Sequence, residues 1–193
     1  MLTRDGRAIC WGDRLFFGTP MTGFNLNAVF LPIYRADPQT YWLGLGIIAL
    51  IDAIRISVGT PGDYFGWLMV LFFVSSIHIN RLRDAGRSGP LVIASIGPAT
   101  LAKAVVGLFA STYVVLLAFL QAQGVDLADS QQVMDALSQS DFQRQYDAYI
   151  TENPEALAIA LGQVAWPSLW AFWGTIGLIG LWFSRMRAPL RLV

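Results

Sequence analysis

Residues 80–89, with the sequence NRLRDAGRSG, form a short basic stretch between two long apolar runs. The first run ends near Ile79, and the second begins at Pro90. Apolar runs of this length are typical of helices that cross a lipid bilayer, and basic residues between them are typical of the cytoplasmic side. We therefore predict that the chain leaves the bilayer before this stretch and re-enters it afterwards.

The composition agrees with a membrane protein rather than with a soluble domain. The chain has 193 residues, of which 55% are hydrophobic and 13% charged, and its mean hydropathy is +0.52. One crossing needs about 20 residues. Four apolar segments reach or approach that length, namely residues 41–59, 64–79, 90–120 and 154–184. The predicted fold class is all-α, a polytopic membrane helical bundle with four transmembrane helices.

Two of these segments are longer than one crossing requires. Residues 90–120 carry Lys103 as their only charge, so a polar turn between two crossings is hard to place there. A tilt, or a kink at Pro98, would absorb the excess length of a single helix. In the last segment, Pro167 also predicts a kink.

The distribution of Lys and Arg predicts the orientation, because cytoplasmic flanks carry the excess of these residues. Four arginines precede the first span, three lie in the stretch 80–89 and three follow the last span, whereas Arg144 is the only base on the other side. Both termini are therefore expected in the cytoplasm. The predicted organisation is a cytoplasmic, partly interfacial segment over 1–40, three spans over 41–120 with the basic loop 80–89, an acidic extracytoplasmic segment over 121–155, and a fourth span with a basic cytoplasmic tail over 156–193.

The acidic segment is expected to contain short helices. It holds seven acidic residues against one basic residue. Asp129, with Gln132 three residues later, has the pattern of a capping box and predicts a helix start. Residues 153–155 (Asn-Pro-Glu) supply a cap, a first-turn proline and an acid for the next helix. Between these points, one helix face would lie on the membrane surface or over the bundle, and it carries Phe142, Tyr146, Tyr149 and Ile150.

The basic stretch matches a known pattern at Arg81, Leu82, Asp84, Gly86, Arg87, Ser88 and Gly89. It resembles the loop Arg-Leu-His-Asp-x-Gly-(Arg/Lys)-Ser-Gly-Trp of the domain-of-unknown-function family 805, small bacterial inner-membrane proteins. Arg83 stands where that family has histidine, and Pro90 where it usually has tryptophan. Upstream, Arg35 and the pair Tyr41 and Trp42 resemble the residues with which the family begins its first span. The resemblance covers about residues 35–120 and implies a small helical protein of the bacterial inner membrane, without implying an activity.

The basic stretch has two interpretations. In the first, its arginines and the close backbone approach that glycine permits form an anion site for a phospholipid headgroup, with Arg81, Arg83, Arg87 and Ser88 as contacts. In the second, which we favour, the arginines set the topology, and Asp84 pairs with one of them to shape the turn.

Three ionisable side chains fall inside the predicted spans, where each costs about 2.5 to 3.5 kcal/mol on insertion scales. At 1.5 Å per residue from the cytoplasmic ends, Asp52 lies ~16 Å, Arg55 ~21 Å and Lys103 ~20 Å deep. We expect Asp52 to be the counter-ion of Arg55, of Lys103 or of both, which would tie the first span to the third. Alternatives are an ion or proton path in which Asp52 titrates, and an Arg55 side chain that extends to the outer surface. Small residues at four-residue spacing around Lys103 predict close helix packing, and they are Ala99, Gly107 and Ser111.

The last span carries tryptophan and glycine at helical spacing. Trp166, Trp170 and Trp173 recur on one face, and Gly174 and Gly177 follow at an interval of three, as does Gly180. The tryptophans are expected to be a packing surface, with stacking on a flat ring such as a quinone as the alternative. The glycines predict a face where a helix of this chain or of a partner approaches closely.

No catalytic constellation is evident in the sequence. Cys10 and His78 are the only residues of their types, so neither a metal site nor a cofactor is expected, and no nucleic-acid partner is expected either. The predicted function is non-enzymatic, a structural or accessory inner-membrane subunit that binds lipid, a larger membrane complex or further copies of itself. The alternative is a small transporter or channel subunit that uses Asp52, Arg55 and Lys103.

Overall fold

The computed structural model describes residues 26–58 and 64–186. The three arginines within residues 1–25 and the arginines at 187 and 191 lie outside the described residues. Over these two ranges the chain forms helices and connecting turns without any strand. A 3-10 helix, Gly89–Val92, precedes α4, and the α-helices are α1 (Asn27–Phe30), α2 (Pro38–Val58), α3 (Tyr64–Asp84), α4 (Ile93–Ala122), α5 (Ser130–Leu137), α6 (Phe142–Glu152), α7 (Pro154–Gln163) and α8 (Ala165–Ser184).

The helices fit a transmembrane bundle. Helix α2, helix α3, and α4 with its preceding 3-10 turn are each long and apolar enough to cross a membrane. Helices α7 and α8 reach that length only as a pair, and they are bent by 43° at their junction. The all-α class is confirmed, with three candidate spans, or four when the bent pair counts as one. Residues 93–122 form one continuous helix that accommodates Pro98.

The bend in the last span lies a turn before the predicted proline. Helix α7 ends at Gln163, and α8 begins at Ala165, so the break falls at Val164. A proline ring clashes with the carbonyl four residues earlier, which for Pro167 is that of Gln163. The proline therefore disrupts the turn before it and leaves its own turn helical.

Helix α3 is longer than the sequence predicts. It ends at Asp84 rather than near Ile79, so the first half of the expected loop 80–89 is helical. The chain turns at Gly86, which has a φ of 66°. The Gly86 N–H donates to the Arg83 carbonyl at 3.1 Å, and the Arg87 N–H donates to the Leu82 carbonyl at 2.8 Å. These two bonds are the Schellman arrangement that ends a helix at a left-handed glycine.

Replacing Gly86 with alanine should lower the free energy of unfolding by about 1 to 2 kcal/mol, because a β-carbon is strained at this φ. Thermal unfolding in detergent measures the change. Gly89→Ala is the matched control in the same turn, since its φ is not left-handed and its new β-carbon would meet Ile79 only at 4.0 Å. Equal losses for the two variants would show that the turn geometry is not the cause.

The acidic segment folds into short helices, as expected. The Asp129 side chain accepts hydrogen bonds from the backbone N–H groups of Gln131 and Gln132, so it caps α5. The Gln132 side chain reaches back to the Asp126 N–H at 3.2 Å rather than to Asp129, and the capping box is thus incomplete. The prediction that the Asn153 side chain caps α7 is wrong, because its amide nitrogen donates to the Tyr149 carbonyl at the end of α6.

The aromatic face of α6 lies over the bundle. Phe142, Tyr146 and Tyr149 surround the Phe119 ring near the end of α4, with ring centroids 5.5 to 5.6 Å apart. Burial against this ring, together with the carboxylate of Asp147, raises the pKa of the Tyr146 phenol above its usual range. The acidic segment is thus attached to α4 through aromatic packing.

The core of the bundle lies between α2, α3 and α8. Its largest side chains are fully buried and include Tyr41, Ile48, Ile77, Phe172 and Phe183. Helix α4 packs along α8, yet only 22% of the most apolar stretch of this candidate span is buried within the protein. The rest of that helix presents an apolar surface of the kind that a lipid environment covers.

Candidate functional site

Asp52 occupies the centre of a polar group in the half of the bundle that lies away from the end of α3. The carboxylate is fully buried on α2. Its Oδ1 atom accepts hydrogen bonds from Arg55 Nε at 3.0 Å and from an Arg55 terminal nitrogen at 2.8 Å, one helical turn away. The pairing of Asp52 with Arg55, one of the predicted alternatives, is therefore present, and both guanidinium N–H groups donate to the same carboxylate oxygen.

The second carboxylate oxygen links α2 to the last span. Asp52 Oδ2 accepts a hydrogen bond from the indole nitrogen of Trp173 at 2.9 Å. The expectation that Asp52 ties the first span to the third is thus corrected, because its direct bond across the bundle goes to α8. The sequence held a signal for this contact. Trp173 precedes Ser184 by eleven residues, and at 1.5 Å per residue it lies ~16 Å from that end of its helix, at the same level as Asp52.

Lys103 lies close to this group without joining it through an ion pair. Its Nζ atom lies 4.5 Å from the centroid of the Trp67 ring on α3, a cation–π distance. Among the described residues, no ion pair joins Lys103 to Asp52, although the two charges are near enough to interact electrostatically. The buried hydroxyl of Thr100, one turn before Lys103, has no hydrogen-bond partner in the described ranges.

The small residues around Lys103 face the bundle, as predicted. Ala99 and Ser111 are buried. A β-carbon at Gly107 would lie 4.0 Å from the side chain of Ser168 on α8. This stripe of α4 therefore packs against the last span, which brings Lys103 to the edge of the Asp52 group.

A second polar group lies at the opposite end of the bundle and centres on Arg81, which is 3% exposed. Its guanidinium donates to the carbonyls of Phe183 at 3.3 Å, Ser184 at 3.0 Å and Met186 at 2.7 Å, and it pairs with Asp84 at 2.6 Å. The last carbonyls of a helix lack partners within the helix. Arg81 supplies them for α8 and thereby fastens the end of α3 to the end of α8.

These contacts divide the predicted anion site. Arg81 is engaged by α8, so it is not available to a headgroup in this arrangement. Arg83, Arg87 and Ser88 are exposed at the end of α3 and in the following turn. The expected pairing of Asp84 with one arginine is present, with Arg81 as its partner.

Two neighbours of Arg81 on α3 fasten the remaining elements. The Asn80 amide nitrogen donates to the carbonyls of Ala28 at 2.7 Å and Leu31 at 2.6 Å, and so holds α1. His78 is fully buried, with Nδ1 2.7 Å from the Val74 carbonyl and Nε2 3.2 Å from the Tyr41 hydroxyl. Both ring nitrogens thus have partners. The sequence analysis did not predict that Asn80 holds α1, although an amide side chain directly after an apolar run was a signal for such a contact.

The tryptophan stripe of α8 is split between two surroundings. Trp173 points to Asp52, whereas Trp166 is 43% and Trp170 66% exposed on the outer side of the helix. Gly174 and Gly177 are open, since a β-carbon at either position would meet no atom within 4 Å.

Gly180, in contrast, lies against α2. A β-carbon there would approach the Tyr41 hydroxyl at 3.0 Å and the Trp42 ring at 3.2 Å. The glycine series therefore serves close packing inside the protein at one end and leaves an uncovered strip at the other.

Comparison with known proteins adds no family to this description. No protein-family model matches the chain, and searches of curated proteins and of solved structures find no match. The resemblance to family 805 stays a prediction that rests on the matched sequence positions. Within the described residues, no group of three or more His, Cys, Asp or Glu side chains is arranged to hold a metal ion.

Proposed function

We propose that this chain is a non-catalytic accessory protein of the bacterial inner membrane, with both termini in the cytoplasm, that docks laterally onto a larger membrane complex or a further copy of itself. The observation that carries the proposal is the use of both Asp52 oxygens by Arg55 and Trp173. One carboxylate oxygen is bonded within α2 and the other is bonded to α8, so the buried carboxylate serves as a structural connection between these two helices. Arg81 is used in the same way at the other end of the bundle.

The outer strip of α8 is the docking surface that we favour. It consists of Gly174 and Gly177, with Trp170 and Leu178 exposed beside them. Small residues allow helix backbones to approach closely in a membrane, where van der Waals packing rather than hydrophobic burial drives association. Exposed tryptophan beside such a strip supplies a large contact area for a neighbouring helix.

The exposed part of the basic stretch supports lipid contact on the cytoplasmic side. Arg83, Arg87 and Ser88 present two guanidiniums and a hydroxyl at the end of α3. Arginine binds phosphate oxygens in a two-pronged manner, and juxtamembrane bases each contribute about 1 kcal/mol of attraction to anionic lipids.

Purification in native nanodiscs, followed by mass spectrometry of the bound proteins, tests the docking proposal. The Gly174→Leu/Gly177→Leu double variant should reduce the stoichiometric partner or the self-associated form at least tenfold, because leucine prevents close helix approach while fitting the fold. Gly46→Leu on α2 is the matched control, since a β-carbon there also meets no atom within 4 Å. Retention of every bound protein by the double variant, or a monomer without partners in the unmodified protein, would contradict the proposal.

A small transporter or channel subunit is the second candidate. It is favoured by the position of Lys103, which stands over the Trp67 ring. Among the described residues, Lys103 forms no ion pair with Asp52, and the Thr100 hydroxyl one turn away has no hydrogen-bond partner. Flux of small anions and cations into proteoliposomes tests this candidate. Lys103→Met should abolish flux if the lysine lines a path, whereas equal flux with and without the protein would remove the candidate.

A further inference from the structure

A cleft of about 440 Å³ opens between α4, α6 and α7 on the side of the bundle that carries the acidic segment. Its volume falls within the range of small-molecule sites, about 300 to 1,000 Å³. It lies apart from the Asp52 group and from the outer strip of α8. A ligand bound in this cleft would therefore not involve the residues of the docking proposal.

The walls of the cleft are mainly apolar, with Gln163 at the end of α7 as a polar exception. Val114, Leu117 and Ala118 on α4 face Ile159 on α7 across the cleft. These residues recur at intervals of three and four, so they share one face of their helix. From Ala118 towards the break between α7 and α8, this surface runs into the part of the bundle that the candidate spans occupy. An acyl chain or another apolar tail is the complement of such a surface.

The mouth of the cleft is polar and carries a negative charge. Glu155 lies in the first turn of α7, with Asn153 and Gln121 beside the opening. Because the Asn153 amide nitrogen donates to the Tyr149 carbonyl, its amide oxygen is the atom that remains to accept a hydrogen bond. A carboxylate and an oriented amide oxygen together form an acceptor set.

The chemistry of the mouth selects among lipid headgroups. A primary ammonium has three hydrogen-bond donors and a positive charge, which match a carboxylate and an amide oxygen. A trimethylammonium group offers the charge without donors, and a glycerol headgroup offers donors on a lipid of net negative charge. Seven acidic residues over 121–155 repel a lipid of that sign.

We propose that this cleft binds a phospholipid with a primary-amine headgroup, whose ammonium lies at Glu155 and Asn153 and whose acyl chain lies along the Leu117 and Ile159 walls. The site is distinct from the basic residues at the other end of the bundle, which suit the phosphate of an anionic lipid. The protein would thus recognise different lipid headgroups at its two surfaces.

The test is native mass spectrometry of the full chain in detergent, titrated with dioleoyl phosphatidylethanolamine, phosphatidylcholine or phosphatidylglycerol. We expect the ethanolamine lipid to bind at least tenfold more tightly than the other two. Glu155→Gln should remove that preference while lowering the thermal unfolding midpoint only slightly, through the loss of the first-turn acid of α7. Glu152→Gln, on the exposed end of α6 and outside the cleft lining, should retain it.

A second variant tests the apolar part of the site. Ile159→Trp fills the cleft and should weaken binding of all three lipids, with folding checked by the unfolding midpoint. Equal affinity of the unmodified protein for the three lipids would overturn the proposal. So would an equal loss of preference in Glu155→Gln and Glu152→Gln, because the effect would then belong to the general charge of the acidic segment.

Discussion

Replacing Arg81 with glutamine should lower the free energy of unfolding by about 3 to 5 kcal/mol, the range found when one partner of a buried ion pair is removed. The change takes away the donors for the carbonyls of Phe183, Ser184 and Met186 and leaves Asp84 without its cation. Arg81→Lys should recover only a minor part of the loss, because an ammonium group lacks the planar fork that spans several acceptors. Thermal or denaturant unfolding in detergent provides the measurement.

Arg83→Gln is the matched control, since Arg83 lies two residues away on the same helix and is exposed. Its removal should change the free energy of unfolding by no more than about 0.5 kcal/mol, as is usual for surface substitutions. If Arg81→Gln were as mild as this control, the fastening of α3 to α8 through the α8 carbonyls would be refuted.

Replacing Asp52 with asparagine should cost about 3 kcal/mol or more of unfolding free energy, because Arg55 loses its buried counter-ion. Trp173→Phe should cost about 1 to 3 kcal/mol, since it removes one hydrogen bond to a charged acceptor. The two effects should be coupled, with an interaction energy of about 0.5 to 3 kcal/mol in a double-mutant cycle. Unfolding in detergent again gives each free energy.

The same double-mutant cycle with Lys103→Met in place of Trp173→Phe is the control. It measures whether Asp52 connects α2 to α4 rather than to α8. Lys103 influences Asp52 only through space, so its coupling energy should be smaller than that of Trp173. A larger coupling with Lys103 would mean that Asp52 ties α2 to α4 in solution. An Asp52→Asn protein of unchanged stability would contradict the structural role of the carboxylate altogether.

The sequence of the basic stretch 80–89 predicted its position in the fold but not the separate roles of its arginines. Its composition predicted a polar end between two membrane segments, and the pairing of Asp84 with one of its arginines was expected to shape the turn. The burial of Arg81 could not be read from the sequence, because Arg81, Arg83 and Arg87 look alike as a series of bases. Their difference arises from the end of α8, a hundred residues later, which places three backbone carbonyls beside only one of them.

The Asp52 group shows the same division between local and distant information. The pairing with Arg55 follows from a spacing of three residues in a helix, and it was one of the alternatives that the sequence predicted. The choice of Trp173 over Lys103 depends on which helix lies next to α2 at that depth. That choice is a matter of packing among spans of similar length and hydropathy, and no local pattern distinguishes them.

By itself, the sequence determined the all-α class, the presence of helices apolar enough to cross a membrane, the capping of α5 by Asp129 and the aromatic face of α6. These features depend on hydropathy, periodicity and neighbouring residues, which act within one helix. The tertiary structure decided which polar groups meet, so that Arg81 serves α8, Asp52 serves Trp173, and Glu155 stands at the mouth of a cleft. The reason is physical, since a buried polar group must find its partner on whichever helix packs beside it, and that helix is set by the shape of the whole bundle.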